Sequence, residues 1–235
     1  MNGLFITFEG TEGCGKSTQI ALLVERLRAL GYAPHALREP GGTPIGEEIR
    51  HTLKHSEDNV AMTPEAELLL MNASRAQLVR EIIRPALAAG DIVLCDRFYD
   101  STTTYQGYGR QLDLKVVKAV IDVAVGETRP DLTLLMQISP EVSEQRRRAR
   151  REAMLLDVPP HDARRPRPAK LGFSEPLRDR MEEADRSFFE RVAKGYEIIS
   201  TAEPQRVRII DAGGTIKAVS ATIWNLVRPL LPPAP

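Results

Sequence analysis

The sequence predicts an α/β fold, a five-stranded parallel sheet with helices on both faces. Three observations lead there. Short apolar runs alternate with longer segments of helical periodicity, the pattern of strands joined by crossover helices. A glycine-rich loop follows the first apolar run and opens a helix. Turn-rich or charged residues then stand at the ends of two further runs, where an open parallel sheet gathers its ligands.

Taken in order, residues 4–8 read as a buried first strand and 16–30 as a helix ended by Gly31. Residues 35–38 form a short second strand before the turn-rich EPGGTP. Thr63 caps a long helix with Pro64 at its first position, and the helix runs to 89 before Gly90. Pro85 lies inside it and predicts a kink or an early end. The run 91–95 is a third strand ending at Asp96, and Tyr105-Gln106-Gly107 lies in a polar loop after it. Helices are expected at 112–125, 141–153, 178–200 and 216–230, with strands at 131–138 and 206–210. Residues 154–177 lose periodicity and gain prolines, marking a loop or insertion. The whole chain, 1–235, reads as one domain with a short proline-rich tail at 229–235.

Thirty-two basic residues balance thirty-two acidic ones, so no global charge draws the chain to nucleic acid or membrane. No apolar run approaches the roughly 20 residues that span a bilayer, and the start MNGLFITFEG lacks the basic region of a signal peptide. Cys14 and Cys95 have no metal or redox spacing, and free thiols in a reducing cytoplasm are expected.

Gly10-x-x-x-x-Gly15-Lys16-Ser17 is a phosphate-binding loop. Its glycines let successive N–H groups converge on an anion, and the following helix adds its partly positive N-terminus. The residues in reach of a nucleotide's phosphates are Gly10, Thr11, Glu12, Gly13, Cys14, Gly15, Lys16, Ser17 and Thr18. Lys16 reaches the outer phosphates, while the Ser17 hydroxyl helps hold Mg²⁺. Asp96 suits the same ion, which keeps most of its waters and takes few carboxylates. Arg97 beside it offers a planar fork for a phosphate. Met71 and Arg75, four apart on one helix, place an apolar side chain beside a guanidinium, either as the floor of a pocket or as core plus surface charge. Residues 146–180 carry eleven basic and five acidic side chains. RRRARR at 146–151 therefore fits three readings: a nucleic-acid patch, a solvated face, or a clamp over a moving phosphoryl group.

Together these motifs resemble the thymidylate kinase family along nearly the whole chain. FEGTEGCGKST at 8–18, REPGGTP at 38–44, LLLMNASRAQ at 68–77, DRFYDSTTTYQG at 96–107, the arginines of 146–151 and DRMEEAD at 179–185 carry the resemblance. The loop alone is common to many NTPases; REPGGTP with the DR…S…YQG block is far more specific. The resemblance implies a P-loop NTPase fold with a mobile lid at about 146–180. It implies transfer of the ATP γ-phosphoryl to dTMP with Mg²⁺, giving dTDP and ADP in dTTP synthesis, by a homodimer. In those terms Glu12 contacts the sugar 3′-hydroxyl or the acceptor phosphate and metal. Arg97 binds the dTMP phosphate beside Glu39 and Pro40. Arg75, Ser101 and Gln106 recognise the thymine edge, Met71 lines the base pocket, and Tyr105 packs near C2′ of the sugar. Gly13 stands where another subclass has a loop arginine, and Arg146, Arg148 and Arg150 match the lid arginines that replace it.

The chain departs from the pattern in three places. Met71 replaces the phenylalanine that stacks on the base, Gln137 stands where many relatives have an acid, and 154–176 is inserted in the lid. Two alternatives stay open on the sequence: a kinase of another nucleoside monophosphate, and a nucleotide-dependent switch. Absence of an Asn-Lys-x-Asp motif argues against the second.

Overall fold

The computed structural model describes residues 3–155 and 185–233. Most of the expected lid, its inserted stretch and the DRMEEAD motif up to residue 184 fall outside the described residues.

Five parallel strands form one sheet in the order β2-β3-β1-β4-β5: β1 Leu4–Glu9, β2 His35–Arg38, β3 Ile92–Asp96, β4 Leu132–Gln137 and β5 Val207–Asp211. Every residue of β1 is buried, as its continuous apolar run and central place require. Edge strand β2 is only half-buried. Two cores sandwich the sheet. On one face Ile6 and Leu94 pack with Ile20, Leu27 and Val219 of α1 (Lys16–Ala29) and α9 (Ile216–Val227). On the other, Phe5 and Val93 meet Leu78, Val117 and Ile121 of α3 (Pro64–Leu78) and α6 (Leu114–Val125). A third cluster joins Leu135 to Phe188, Val192 and Tyr196 of α8, Arg186–Ala202.

Three expectations are corrected. EPGGTP does not simply turn, because Thr43 caps a helix α2 at Pro44–Lys54 by accepting from Gly46 N–H, with Pro44 in its first turn. Tyr105-Gln106-Gly107 is not a loop. Tyr99–Thr102 (α5) runs into a π-helical stretch at Thr103–Gly109 whose Tyr105, Gln106 and Gly107 are buried. Nor does Pro85 end its helix. The chain widens into a π turn at Val79–Ile83 and continues as α4, Arg84–Ala89, with Pro85 in the first turn. The π turn just before it accommodates the N–H that proline lacks.

The sheet order reverses at β1. Chain leaving β1 toward β2 and chain leaving neighbouring β4 toward β5 therefore part at the carboxyl ends of the two strands, which opens a crevice. Register brings Phe8 level with Asp96, and Arg38 level with Asp96 from the other side. The phosphate loop, the 39–43 turn and Arg97 thus share one edge.

Candidate active site

The loop starts where Gly10, at φ 131°, leaves β1; a Cβ there would run into the Met136 carbonyl. Gly15, in left-handed conformation, starts α1 with no side-chain cap, whereas Thr43, Thr63, Asp185 and Thr215 each cap their own helix. The first-turn N–H groups of α1 are therefore left for an anion. Lys16 curls over this concavity, donating to the Gly10 and Thr11 carbonyls at 3.1 Å each. Ser17 Oγ donates to Asp96 Oδ2 at 2.8 Å, which joins a hydroxyl and a carboxylate at the exposed edge of the loop. Two hard oxygen donors in that position suit Mg²⁺ held mainly by water and phosphate. Among the described residues no cluster of three acidic, His or Cys groups offers a full protein cage.

Arg97 has φ 71°, a sparsely populated conformation for a long side chain. Its N–H is tied to Phe8 O at 2.9 Å. Its guanidinium turns back over the loop to Glu12 Oε1 at 2.6 Å, Ser101 Oγ at 3.1 Å and the Tyr105 hydroxyl at 3.3 Å. Burial works against the Glu12 charge, but Arg97, Lys16 and Lys54 outweigh it and hold its carboxyl well below the usual range.

All eight substrate-side residues expected from the sequence line one cleft of about 410 Å³: Glu39, Pro40, Met71, Arg75, Arg97, Ser101, Tyr105 and Gln106. Glu12 joins them, as do Lys54 and Thr102, which sequence reasoning missed. Arg75 is 2% exposed and spends all its donors within the protein. Nε and Nη2 reach Glu39 Oε2 at 2.8 and 2.6 Å, Nη1 reaches Asn72 and Thr102 at 2.9 Å each, and Nη2 also reaches Phe98 O at 3.2 Å. Its core-and-charge alternative is thereby resolved: it is a buried, fully bonded cation in the cleft wall. Burial pushes the Glu39 carboxyl up to about 7 despite Arg75. Gln106 Nε2 donates to the buried Glu67 at 2.7 Å, and Arg110 pairs with the same carboxylate at 3.0 Å. The Glu39–Pro40 peptide is cis.

Glu9 also escaped the sequence reading, since it ends an apolar strand just before the loop. Fully buried, it accepts from Phe98 N–H at 2.8 Å, Ser101 Oγ at 2.5 Å and the Tyr196 hydroxyl at 2.8 Å. Ser101 is thus turned toward Glu9 and Arg97, and the Thr102 hydroxyl is the one beside Arg75. Burial, reinforced by Asp100, raises the Glu9 carboxyl above its ordinary value.

Beyond the loop a second cavity, about 640 Å³, is lined by Gly13, Gly15, Thr18, Arg146, Ala212 and Gly214. Arg146, on α7 (Pro140–Leu155), donates to Gly13 O and Ala212 O at 3.3 Å each, bridging the loop to the chain after β5. Arg148 is exposed on the same helix, and the Arg150 side chain lies outside the described residues. Gln137 ends β4 opposite Asp211 of β5, so the acid at that level comes from the neighbouring strand.

Comparison with known proteins agrees with this geometry. A family model described as thymidylate kinase matches residues 8–223. The chain is 43% identical over 228 residues to thymidylate kinase of Synechococcus sp. (strain JA-3-3Ab), covering 97% of each chain. It is 42% identical over 225 residues to that of Deinococcus radiodurans, covering 96% of each. The crystal structure of thymidylate kinase from Ehrlichia chaffeensis superposes with a TM-score of 0.70 at 27% identity, over 97% of this chain and 99% of that one. The five-stranded parallel sheet is that of a P-loop NTPase, and the chain belongs to the thymidylate kinase family.

Proposed function

We propose that the protein transfers the γ-phosphoryl of Mg-ATP to dTMP, giving dTDP and ADP. The observation that carries this reading is that one phosphate loop contributes to the lining of two separate cavities. Glu12 of the loop lines the cleft with Arg97, Glu39 and Arg75, and Gly13 and Gly15 line the cavity with Arg146. A donor held by the loop and an acceptor held by Arg97 then meet end to end, as in-line transfer needs.

In this reading Lys16 and the α1 N-terminus bind the donor's outer phosphates, and its base side occupies the Arg146 cavity. Ser17 and Asp96 would hold Mg²⁺, which would supply neutralisation of phosphate charge. Arg97 orients the acceptor phosphate, with Tyr105 stacked under its guanidinium at 5.0 Å. Glu12, kept ionised beside Arg97, positions that guanidinium from the wall of the acceptor cleft, where it would meet the sugar or the acceptor phosphate and metal. The acceptor is already an anion, so the chain supplies position and charge and no strong base. Met71, half-buried against the cluster of Tyr105 and Phe188, gives the base an apolar wall, and Thr102 and Gln106 give it a polar edge backed by the internally bonded Arg75. Exposed Leu69, Val116 and Val123 on the packed helices α3 and α6 supply an apolar face for a homodimer. With Cys14 and Cys95 both buried as free thiols, a reducing cytoplasm is the compartment proposed.

The test is dTDP formation from Mg-ATP and dTMP by the wild-type protein and by Lys16→Ala. Loss of at least about 100-fold in kcat is expected with the thermal transition retained. Undiminished turnover by the variant would remove the loop from the chemistry.

A further inference from the structure

Lys54 belongs to none of the motifs that define the site. It is the last residue of α2, the helix hidden behind the glycine-rich turn. One turn earlier Arg50 is buried and donates to the Pro40 carbonyl at 3.0 Å. Residues four apart share a helix face, so Lys54 follows Arg50 toward the cleft and not toward solvent. The result is visible in the lining: Lys54 is half-buried in the same wall system as Glu12, Arg97 and Arg75, while its neighbours His51 and Thr52 are exposed.

A lysine in the last turn of a helix has an ordinary use, since it complements the negative end of the dipole. That use needs no cleft and does not select the Glu12 side. Here the Lys54 charge is among those that hold the Glu12 carboxyl down, together with Arg97 and Lys16. Arg97, Lys16 and Lys54 thus all act on this one carboxylate, a gathering of cations suited to a monophosphate dianion. Lys16 belongs to the donor loop, and Arg97 reaches across from the end of β3. Lys54 comes from a third element, the end of α2.

Building on the reading of this cleft as a monophosphate-acceptor site, we propose that Lys54 is a further substrate-binding residue whose ammonium meets the acceptor phosphate together with Arg97. α2 then acts as part of the acceptor site, fixed at its start by Thr43 and through Arg50 by Pro40, and presenting a cation at its end.

The experiment measures equilibrium binding of dTMP and of thymidine, which lacks the phosphate, to wild-type protein, Lys54→Met and Lys54→Arg. Lys54→Met is expected to weaken dTMP about tenfold, the scale of about 1.4 kcal/mol for a charge-assisted contact. Thymidine binding and the KM for ATP should stay within about twofold of wild type. Lys54→Arg should recover most of the dTMP affinity, since only the cation is required. Unchanged dTMP binding by Lys54→Met overturns the inference, and so does an equal loss for dTMP and thymidine, which would mark Lys54 as structural. If wild-type protein prefers another monophosphate, the same pair of measurements is made with it and its nucleoside. That result corrects the base assignment and still decides Lys54. Failure of the wild-type protein to bind any monophosphate overturns both readings.

Discussion

Two carboxylates in one cleft are driven in opposite directions, and the neighbours of each explain it. Glu12 faces Arg97, Lys16 and Lys54 and stays ionised against the cost of burial. Glu39 is 5% exposed and has Arg75 as its main counter-charge, and its Oε1 finds no protein partner. Burial therefore dominates, and its carboxyl titrates at about 7 in place of 4.5. A raised carboxyl binds its proton more tightly in the folded state. Its stabilising contribution is complete below about pH 4.5 and is lost as pH rises through about 7. Glu39→Gln should remove that component, which at about 1.4 kcal/mol per unit amounts to at most about 3.5 kcal/mol. Urea melts of both proteins at pH 5 and pH 8 read it directly. Identical pH slopes would show that Glu39 is not protonated in the folded protein.

At the level of elements, the strands and most helices were legible because apolar runs of strand length and helical period separate cleanly here. What escaped did so for local reasons. The glycines of EPGGTPIGEE mask the Thr43-Pro44 start of α2, a capping signal identical in kind to Thr63-Pro64, which was read correctly. Residues 103–109 wind as a π-helix, so a 3.6-residue template finds no stripe in them. Losing α2 also loses Lys54, and reading 103–109 as a loop hides why Tyr105 and Gln106 are buried. Glu9 escaped because only tertiary structure brings Tyr196 of α8 to it, 187 residues away. That bond links α8 to Ser101 and, through Ser101, to Arg97. Tyr196→Phe should therefore cost about 1–3 kcal/mol, the penalty of depriving a buried carboxylate of a donor. It should also raise the KM for the acceptor more than that for ATP. A variant as stable as wild type with both KM values unchanged would separate α8 from the site.

For the whole molecule, one loop at the edge of a parallel sheet contributes to two cavities, and the proposed donor and acceptor sites rest on that arrangement. Most of that plan follows from the sequence, because the phosphate loop, the REPGGTP turn and Asp96-Arg97 each stand at the end of a strand and all strands are parallel. The pairing of partners does not follow. Arg75 gives its Nε to Glu39, 36 residues away, and its Nη1 to Thr102, 27 away, and these choices depend on how helices pack. The same packing leaves Val123 on α6 76% exposed beside half-buried Val120. Val123→Glu should convert a dimer to monomer in sedimentation velocity with the fold retained. Dimerisation undisturbed by that charge would place the interface elsewhere.

The central claim, a dTMP acceptor site beside an ATP site, is tested most directly by ADP release from Mg-ATP against dTMP, dUMP, UMP, dCMP, dGMP and no acceptor. Highest kcat/KM with dTMP and negligible release without acceptor are the expected results, with Met71 serving as the apolar wall of the base pocket. A higher kcat/KM for another monophosphate, or ADP release that needs no acceptor, would contradict the account.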